Sequence, residues 1–464
     1  MKTTHMTRKA AALLLALAML LALPMTAAAV PADTLSQAAQ KTVAFYGTSG
    51  AGVSGWADAF ALYSAGAAVT AAPPAGAGSL TGAVWALTAG KNPHTVYPDL
   101  YSVFPQRQRA DGAFAEESGD VYINAHITSM LVLPRIFPAA MFDMKKAEAW
   151  LISQQLADGS FTYFGTEGDV DLTAMALPAL SDEDAIAKAA AFITSKMTAS
   201  GGFVSPWADP PAENACSVAA VISGFVSQGI EIPDKMIENL LSFQLADGSF
   251  AYAAGGDSDV FATQQALTAL GDLIAGKDAY SRLPGRYFKD EAAVSMGLAG
   301  HVNQAAAKGL VSGYDGFFRP ADIMTRAEAA RVVFDMLPAQ IPSETVFTDV
   351  PAGAWYEHFA RCAVSLGVMD APNGVFNPSG KVTRLDLARF LTAALGLDTA
   401  AAMSEYNAGR LKIADAASIP AELLPTAAAV MAEGIFSGNE KSEFMPNVYF
   451  TRDQLAAILN KLND

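Results

Sequence analysis

Three groups of residues in this chain have the types and spacing to do chemistry. The first is a pair of aspartate doublets, Asp169-Val170-Asp171 and Asp257-Ser258-Asp259, each opening a strongly apolar helical stretch. Asp169-Val170-Asp171-Leu172-Thr173 is the sharpest catalytic candidate. The doublet's recurrence suits a helix cap, since Asp at this place accepts from the free N–H groups of the first turn. The second group is Cys216, His126 and Glu213, which would have to hold any metal. No Asp-x-Cys pair exists and no His follows Cys216 before residue 276, so no metal site is expected. The third is an arginine kept three times: Thr325-Arg326-Ala327-Glu328, Thr383-Arg384-Leu385-Asp386 and Thr451-Arg452-Asp453-Gln454. Thr with an acid or amide three residues on is a capping box. The Arg sits at the first helical position, where a cation opposes the helix dipole. Its repetition there points to another task, and a guanidinium beside free N–H groups suits bidentate pairing with carboxylates.

Two kinds of repeat must position these groups. A Phe follows an Asp-Gly or Ser-Gly turn at Phe114, Phe161, Phe203 and Phe250, at intervals of 47, 42 and 47 residues. That period marks stacked supersecondary units, each an amphipathic helix, a glycine turn, a loop and an apolar helix. The later repeat places Phe318, Phe376 and Phe444 each seven residues before its Thr. Gly and Pro gather with charges in residues 276–287, which read as a linker. Ahead of both lies a basic start (Lys2, Arg8, Lys9), an apolar run and Ala27-Ala28-Ala29. This pattern predicts a secretory signal peptide over residues 1–29, and no later segment is apolar enough to cross a bilayer. Net charge is −16, which argues against nucleic-acid partners and anionic lipid surfaces. Two cysteines, Cys216 and Cys362, fall in different domains and read as small buried apolar residues.

Leu151-x3-Gln155-x3-Gly159-x-Phe161 and Leu240-x3-Gln244-x3-Gly248-x-Phe250 resemble the "QW" repeat of squalene cyclases, with Phe where Trp is usual. The segment over residues 33–275 is thus similar to the α/α toroid of terpenoid cyclases, prenyltransferase β-subunits and cobalamin carriers. The resemblance would make Asp171 the catalytic acid, but Leu172 stands where class II cyclases carry a further Asp. The Cys-Gly-Glu-Gln thioester of complement-type toroids is absent. Tyr163, Trp207 and Tyr252 are candidates to face a ligand at the toroid centre. The triplet resembles the S-layer homology module, at residues 288–340, 345–398 and 404–463. The second copy carries it best, with Phe347-Thr348-Asp349-Val350-Pro351 and Trp355-Tyr356. The resemblance implies an all-α chain: a single toroid of helical hairpins followed by a pseudo-threefold bundle. It implies non-covalent binding of pyruvylated secondary cell-wall polysaccharide. Arg326, Arg384 and Arg452 would grip the acidic ketal, with Trp355 and Asp349 beside them, and the groove around Arg384 is favoured. The expectation is a secreted protein of the Gram-positive wall or S-layer, whose toroid binds an unknown small molecule or protein. It needs no cofactor and no metal, and is not an enzyme. The alternative is a wall-tethered enzyme acting on a lipid, isoprenoid or glycan.

Overall fold

The computed structural model describes residues 30–48, 55–69, 80–205, 211–334, 336–337 and 345–463. The expected signal peptide and Trp207 lie outside them. The described residues are predominantly helical, as the two periodicities require. They fall into two compact units, residues 1–72 with 152–282 and residues 73–151 with 283–464. Residues 73–151, expected to go with the toroid, thus cluster with the C-terminal repeats.

In the first unit each hairpin is built the same way. The outer helices Glu183–Lys196 and Asp234–Ser242 bury one apolar stripe, whereas the inner helix Ala215–Gln228 is buried on most sides. Inner helices begin at short polar side chains: Asp169 accepts from the Leu172 N–H (2.8 Å), Asn214 from Ser217 (2.9 Å) and Asp259 from Ala262 (2.8 Å). Small residues let these helices approach closely. A Cβ on Gly224 would lie 2.6 Å from the Ala174 carbonyl oxygen, and one on Gly271 would strike the Ser64 backbone. The inner layer therefore runs Val170–Ala176, Ala215–Gln228, Val260–Ala275, Trp56–Ser64.

The repeated Gln and Gly form the joint between one hairpin and the next outer helix. Gln155 Nε2 donates to the Gly159 carbonyl across its own turn and to the Ala185 carbonyl, both at 2.9 Å. Gly159, at φ +91°, lies so close to the Lys188 carbonyl that a Cβ would sit 2.4 Å from its oxygen. In the last repeat the same joint reaches back to the first helix, Ala32–Thr48. Gln244 donates to the Ala38 carbonyl (2.9 Å), and Thr42 to that of Gly248 (2.8 Å). The chain thereby closes on itself within this unit. The third repeat, which has Met197 in the Gln slot, uses other atoms. Asn239 and Ser200 both donate to Glu213, and Thr198 spans the turn to Gly202.

The second unit holds Leu80–Thr88 packed on Ile123–Ile136, together with the three C-terminal modules. Each module contributes two main helices: Ala299–Ala307 with Arg326–Phe334, Glu357–Ser365 with Arg384–Leu395, and Leu424–Ala432 with Arg452–Asn463. The second helix of each packs against the first helix of the next, and the third module returns to the first. At the centre, main-chain hydrogen bonds run in a ring: Met324 N–H to Phe450 O (2.8 Å), Phe450 N–H to Val382 O (3.1 Å), Val382 N–H to Met324 O (3.0 Å). A continuous apolar core containing Phe318, Phe376 and Phe444 surrounds that ring. The expected pseudo-threefold bundle is thus a closed cycle of edges.

Candidate functional site

Each repeated Arg is planted in the following module. Arg384 Nε donates to the Phe444 carbonyl and Nη2 to that of Ser437, both at 2.7 Å. Its guanidinium lies over the rings of Phe436, Phe444 and Phe450, 4.7–5.7 Å from their centroids. Burial lowers its pKa, an effect partly offset by the nearby Asp415 carboxylate. Arg326 makes the same bonds to the Phe376 and Asp370 carbonyls (2.8 and 2.6 Å). Arg452 makes them to Phe318 and Ser312, both at 2.9 Å. Their main-chain N–H groups also cross, to Gly380 O, Val448 O and Asp322 O. The arginines expected to be left over for recognition therefore hold the cycle together. A cation is tolerated at the helix start because the neighbour's carbonyls face it. Among the described residues Nη1 of Arg384 has no partner.

Asp349 has a similar structural duty. Its two carboxylate oxygens accept from the N–H groups of Phe376 (2.8 Å) and Asn377 (2.6 Å). Asp290 does the same for Phe318 and Arg319, and Asp415 for Phe444 and Met445. The second residue of each pair has positive φ, between 54° and 61°, so the carboxylate fixes a strained turn just before the Pro. The sequence signal was an Asp 27–29 residues ahead of each Phe-x-Pro.

Trp355 is the candidate with a free surface, at 59% exposure. Its ring partners are Tyr356 (5.3 Å) and Phe359 (6.4 Å), and Phe359 packs edge-on to Phe334 of the first module. That is the contact between modules one and two, whereas Arg384 spans modules two and three. The structure does not bring Trp355 and Arg384 together. Counted back from the helix start, the Trp355 position is Gly297 in module one and Glu422 in module three.

In the first unit, Asp169 is the cap and Asp171 stands in the first turn, where it accepts a hydrogen bond from Ser217. Burial, reinforced by Asp169, raises its pKa to about 6. Tyr163 lies within electrostatic reach of both aspartates and is partly exposed. Tyr252 packs against the core, and its carbonyl accepts from Ala215 N–H (2.9 Å). Among the described residues no cluster of His, Cys, Asp and Glu has the geometry to hold a metal. His126 is buried and takes the Phe114 N–H on Nδ1 (3.0 Å), while its Nε2 meets the Ala147 carbonyl (3.0 Å). Thr173 and Thr263 accept from Phe161 and Phe250 in the same way. Cys216 and Cys362 are both buried, and neither is in a disulfide.

Residues 287–330, 346–388 and 412–456 match the family described as the S-layer homology domain. The chain is 33% identical over 130 residues to an S-layer protein of Bacillus thuringiensis subsp. finitimus, covering 27% of this chain and 16% of that one. It is 33% identical over 130 residues to the S-layer protein sap of Bacillus anthracis, with the same coverage. It therefore spans about one sixth of the length of these curated relatives. Among solved structures, the type II terpene cyclase MstE from Scytonema aligns with 53% of this chain and 98% of its own, at 12% identity and TM-score 0.40. The chain carries three tandem matches to the S-layer homology domain, preceded in sequence by a set of helical hairpins whose last joint closes on the first helix.

Proposed function

We propose that this is a secreted surface protein held non-covalently to cell-wall polysaccharide by its three C-terminal modules, displaying a non-catalytic toroid that binds a ligand or partner. The family match and its surface-layer relatives support the anchoring part. The observation that carries the reading is the closed three-module ring with the exposed Trp355 at one intermodular contact. Pyruvylated polymer is the proposed ligand, with Nη1 of Arg384 open to one groove and Trp355 offering a face to a sugar ring at another intermodular contact, whereas Arg452 and Arg326 already pair with Glu328 and Asp370. A Gram-positive envelope is the proposed setting.

Retention of the full mature chain on purified sacculi tests this. The expected result is strong retention that drops when pyruvylated polymer is stripped from the walls. Trp355→Ala is expected to weaken retention about tenfold without lowering the melting temperature, as for an exposed aromatic anchor. Equal retention on stripped walls would overturn the reading.

A second reading, a tethered enzyme, draws on one observation: Asp171 stands beside Asp169, and burial raises the Asp171 pKa to about 6. Proton-initiated turnover of a polyprenyl substrate that is abolished by Asp171→Asn would establish it.

A further inference from the structure

The second unit contains a cavity that the wall-binding reading does not use. Its volume is about 360 Å³, toward the small end for ligand sites. Leu80 and Thr81 form one wall, Ala125, Thr128 and Ser129 on one face of the 123–136 helix another, and the turn from Phe104 to Glu116 the third. The helix hydroxyls facing it have already donated: Thr128 to the Asn124 carbonyl (2.9 Å) and Ser129 to that of Ala125 (2.8 Å). Phe104, Phe114 and Leu80 make the floor apolar.

Arg107 is the exception. Its side chain is only 20% exposed and is stacked on Phe104, 4.9 Å from the ring centroid. It has five N–H donors. Its one hydrogen bond among the described residues is a long one, 3.4 Å from Nη1 to Glu116, whose side chain is 43% exposed. Its spare donors are not sealed in protein but remain accessible at the cavity lining, where a guest could take them up. Its planar fork fits a carboxylate bidentately. Glu116 alongside makes a doubly charged phosphate a worse guest than a single carboxylate.

We propose that this cavity binds a small monocarboxylate with an apolar body, its head on Arg107 and its tail over Phe104 and Leu80. Glu116 acts as a displaceable internal competitor that occupies the arginine when the site is empty. This site is separate from the wall-binding modules, and its failure would leave the anchoring reading untouched.

Calorimetric titration of the full-length protein tests it with aryl and alkyl monocarboxylates from benzoate to octanoate, each paired with its alcohol and its phosphate monoester. The expected result is binding by at least one acid, at least about tenfold tighter than its alcohol or phosphate. Arg107→Gln should abolish that preference, Arg107→Lys should keep a weakened part of it, and Glu116→Gln should tighten binding severalfold. Melting curves and sacculus retention should be unchanged in Arg107→Lys, which separates loss of the fork from loss of the fold. Binding of acid and alcohol alike, a preferred phosphate, no binding by any acid at millimolar concentration, or an unchanged preference in Arg107→Gln would each overturn the proposal.

Discussion

Arg384 shows how a repeated residue can be read correctly as purposeful while its structural duty stays out of sight. Its unfavourable place at a helix start was legible in the sequence. The acceptors that make the place tolerable belong to a chain segment 53–60 residues on, and nothing local predicts them. Arg384→Gln should strand the part-buried Phe444 carbonyl and remove the cation from the stack of Phe436, Phe444 and Phe450. The expected cost is about 3 kcal/mol, since unsatisfied partners of a charged donor carry most of the penalty. Denaturant unfolding of the full chain checks this, and loss of wall retention in that variant would then report unfolding as well as any lost ligand contact. Trp355, by contrast, was singled out only through the family resemblance, and its exposure appeared with the structure. Its neighbours were not legible either, because the sequence does not say which module an intermodular helix packs against. Asp171 lies between these cases. The doublet was recognisable as a cap, but the capping aspartate is the first of one doublet, Asp169, and the second of the other, Asp259, a two-residue difference that the pattern alone does not resolve.

At the scale of the element, the hairpin joint was visible as a pattern, and its physics emerged only with the next outer helix in place. Gln and Gly looked like marks of a turn. They also join each turn to the helix that follows, and Gly248 does so across the closure of the unit, against Lys41. Gly248→Ala would put a Cβ 2.3 Å from the Lys41 carbonyl oxygen at a φ of +99°. A loss of at least about 3 kcal/mol is expected, combining overlap with backbone strain, and a circular-dichroism melt would show it. Gly229 also has positive φ, +63°, but a Cβ there would meet nothing, so Gly229→Ala should cost less, about 1 kcal/mol. The joint at Met197 explains why that repeat was the hardest to see: the Gln side chain is missing, and residues from three separate segments, Ser200, Glu213 and Asn239, take over part of its work.

For the whole molecule, the buried ionisable groups set the two units against each other in acid. In the second unit, burial lowers the pKa of His94 and of His126 to about 4. Around His94 the charged neighbour that counts is Lys289, which lowers it further, while carbonyl bonds from Ile136 and Arg286 work the other way. Both histidines bind a proton more readily when unfolded, so stability is full above about pH 6.5 and declines as pH falls toward 4, by up to about 3 kcal/mol per group. In the first unit, burial raises Asp171 to about 6 and Asp272 to about 7, the latter despite its 2.9 Å ion pair with Arg282. Their folded forms hold protons more tightly than the unfolded chain, so their penalty is greatest above pH 7 and fades as pH falls toward 4. Between pH 6.5 and 4.5 the second unit should weaken while the first firms up. Hydrogen exchange resolved by peptide, measured at both pH values, would reveal the opposite slopes. A uniform response, or one shared by Asp171→Asn and Asp272→Asn variants in the first unit, would contradict it. The division of the chain was the least legible feature of all. The chain does change unit inside the 276–287 stretch, after Arg282, but residues 73–151 belong to the second unit as well, where Asn92 donates to the Phe288 carbonyl and Tyr101 to that of Tyr287.

The central ring from Met324 to Phe450 to Val382 has a consequence for assembly. A cycle of three complementary edges is satisfied only when all three are present, and a chain with two modules would be left with one open donor edge and one open acceptor edge. Such edges match each other between molecules, and a head-to-tail contact that does not close on itself propagates. A chain ending at residue 398 is therefore expected to form concentration-dependent chains or swapped trimers, seen as rising mass by light scattering, while the intact protein stays of constant mass. On that expectation, completing the count to three is what would end growth, with the last module acting as a terminator of polymerisation.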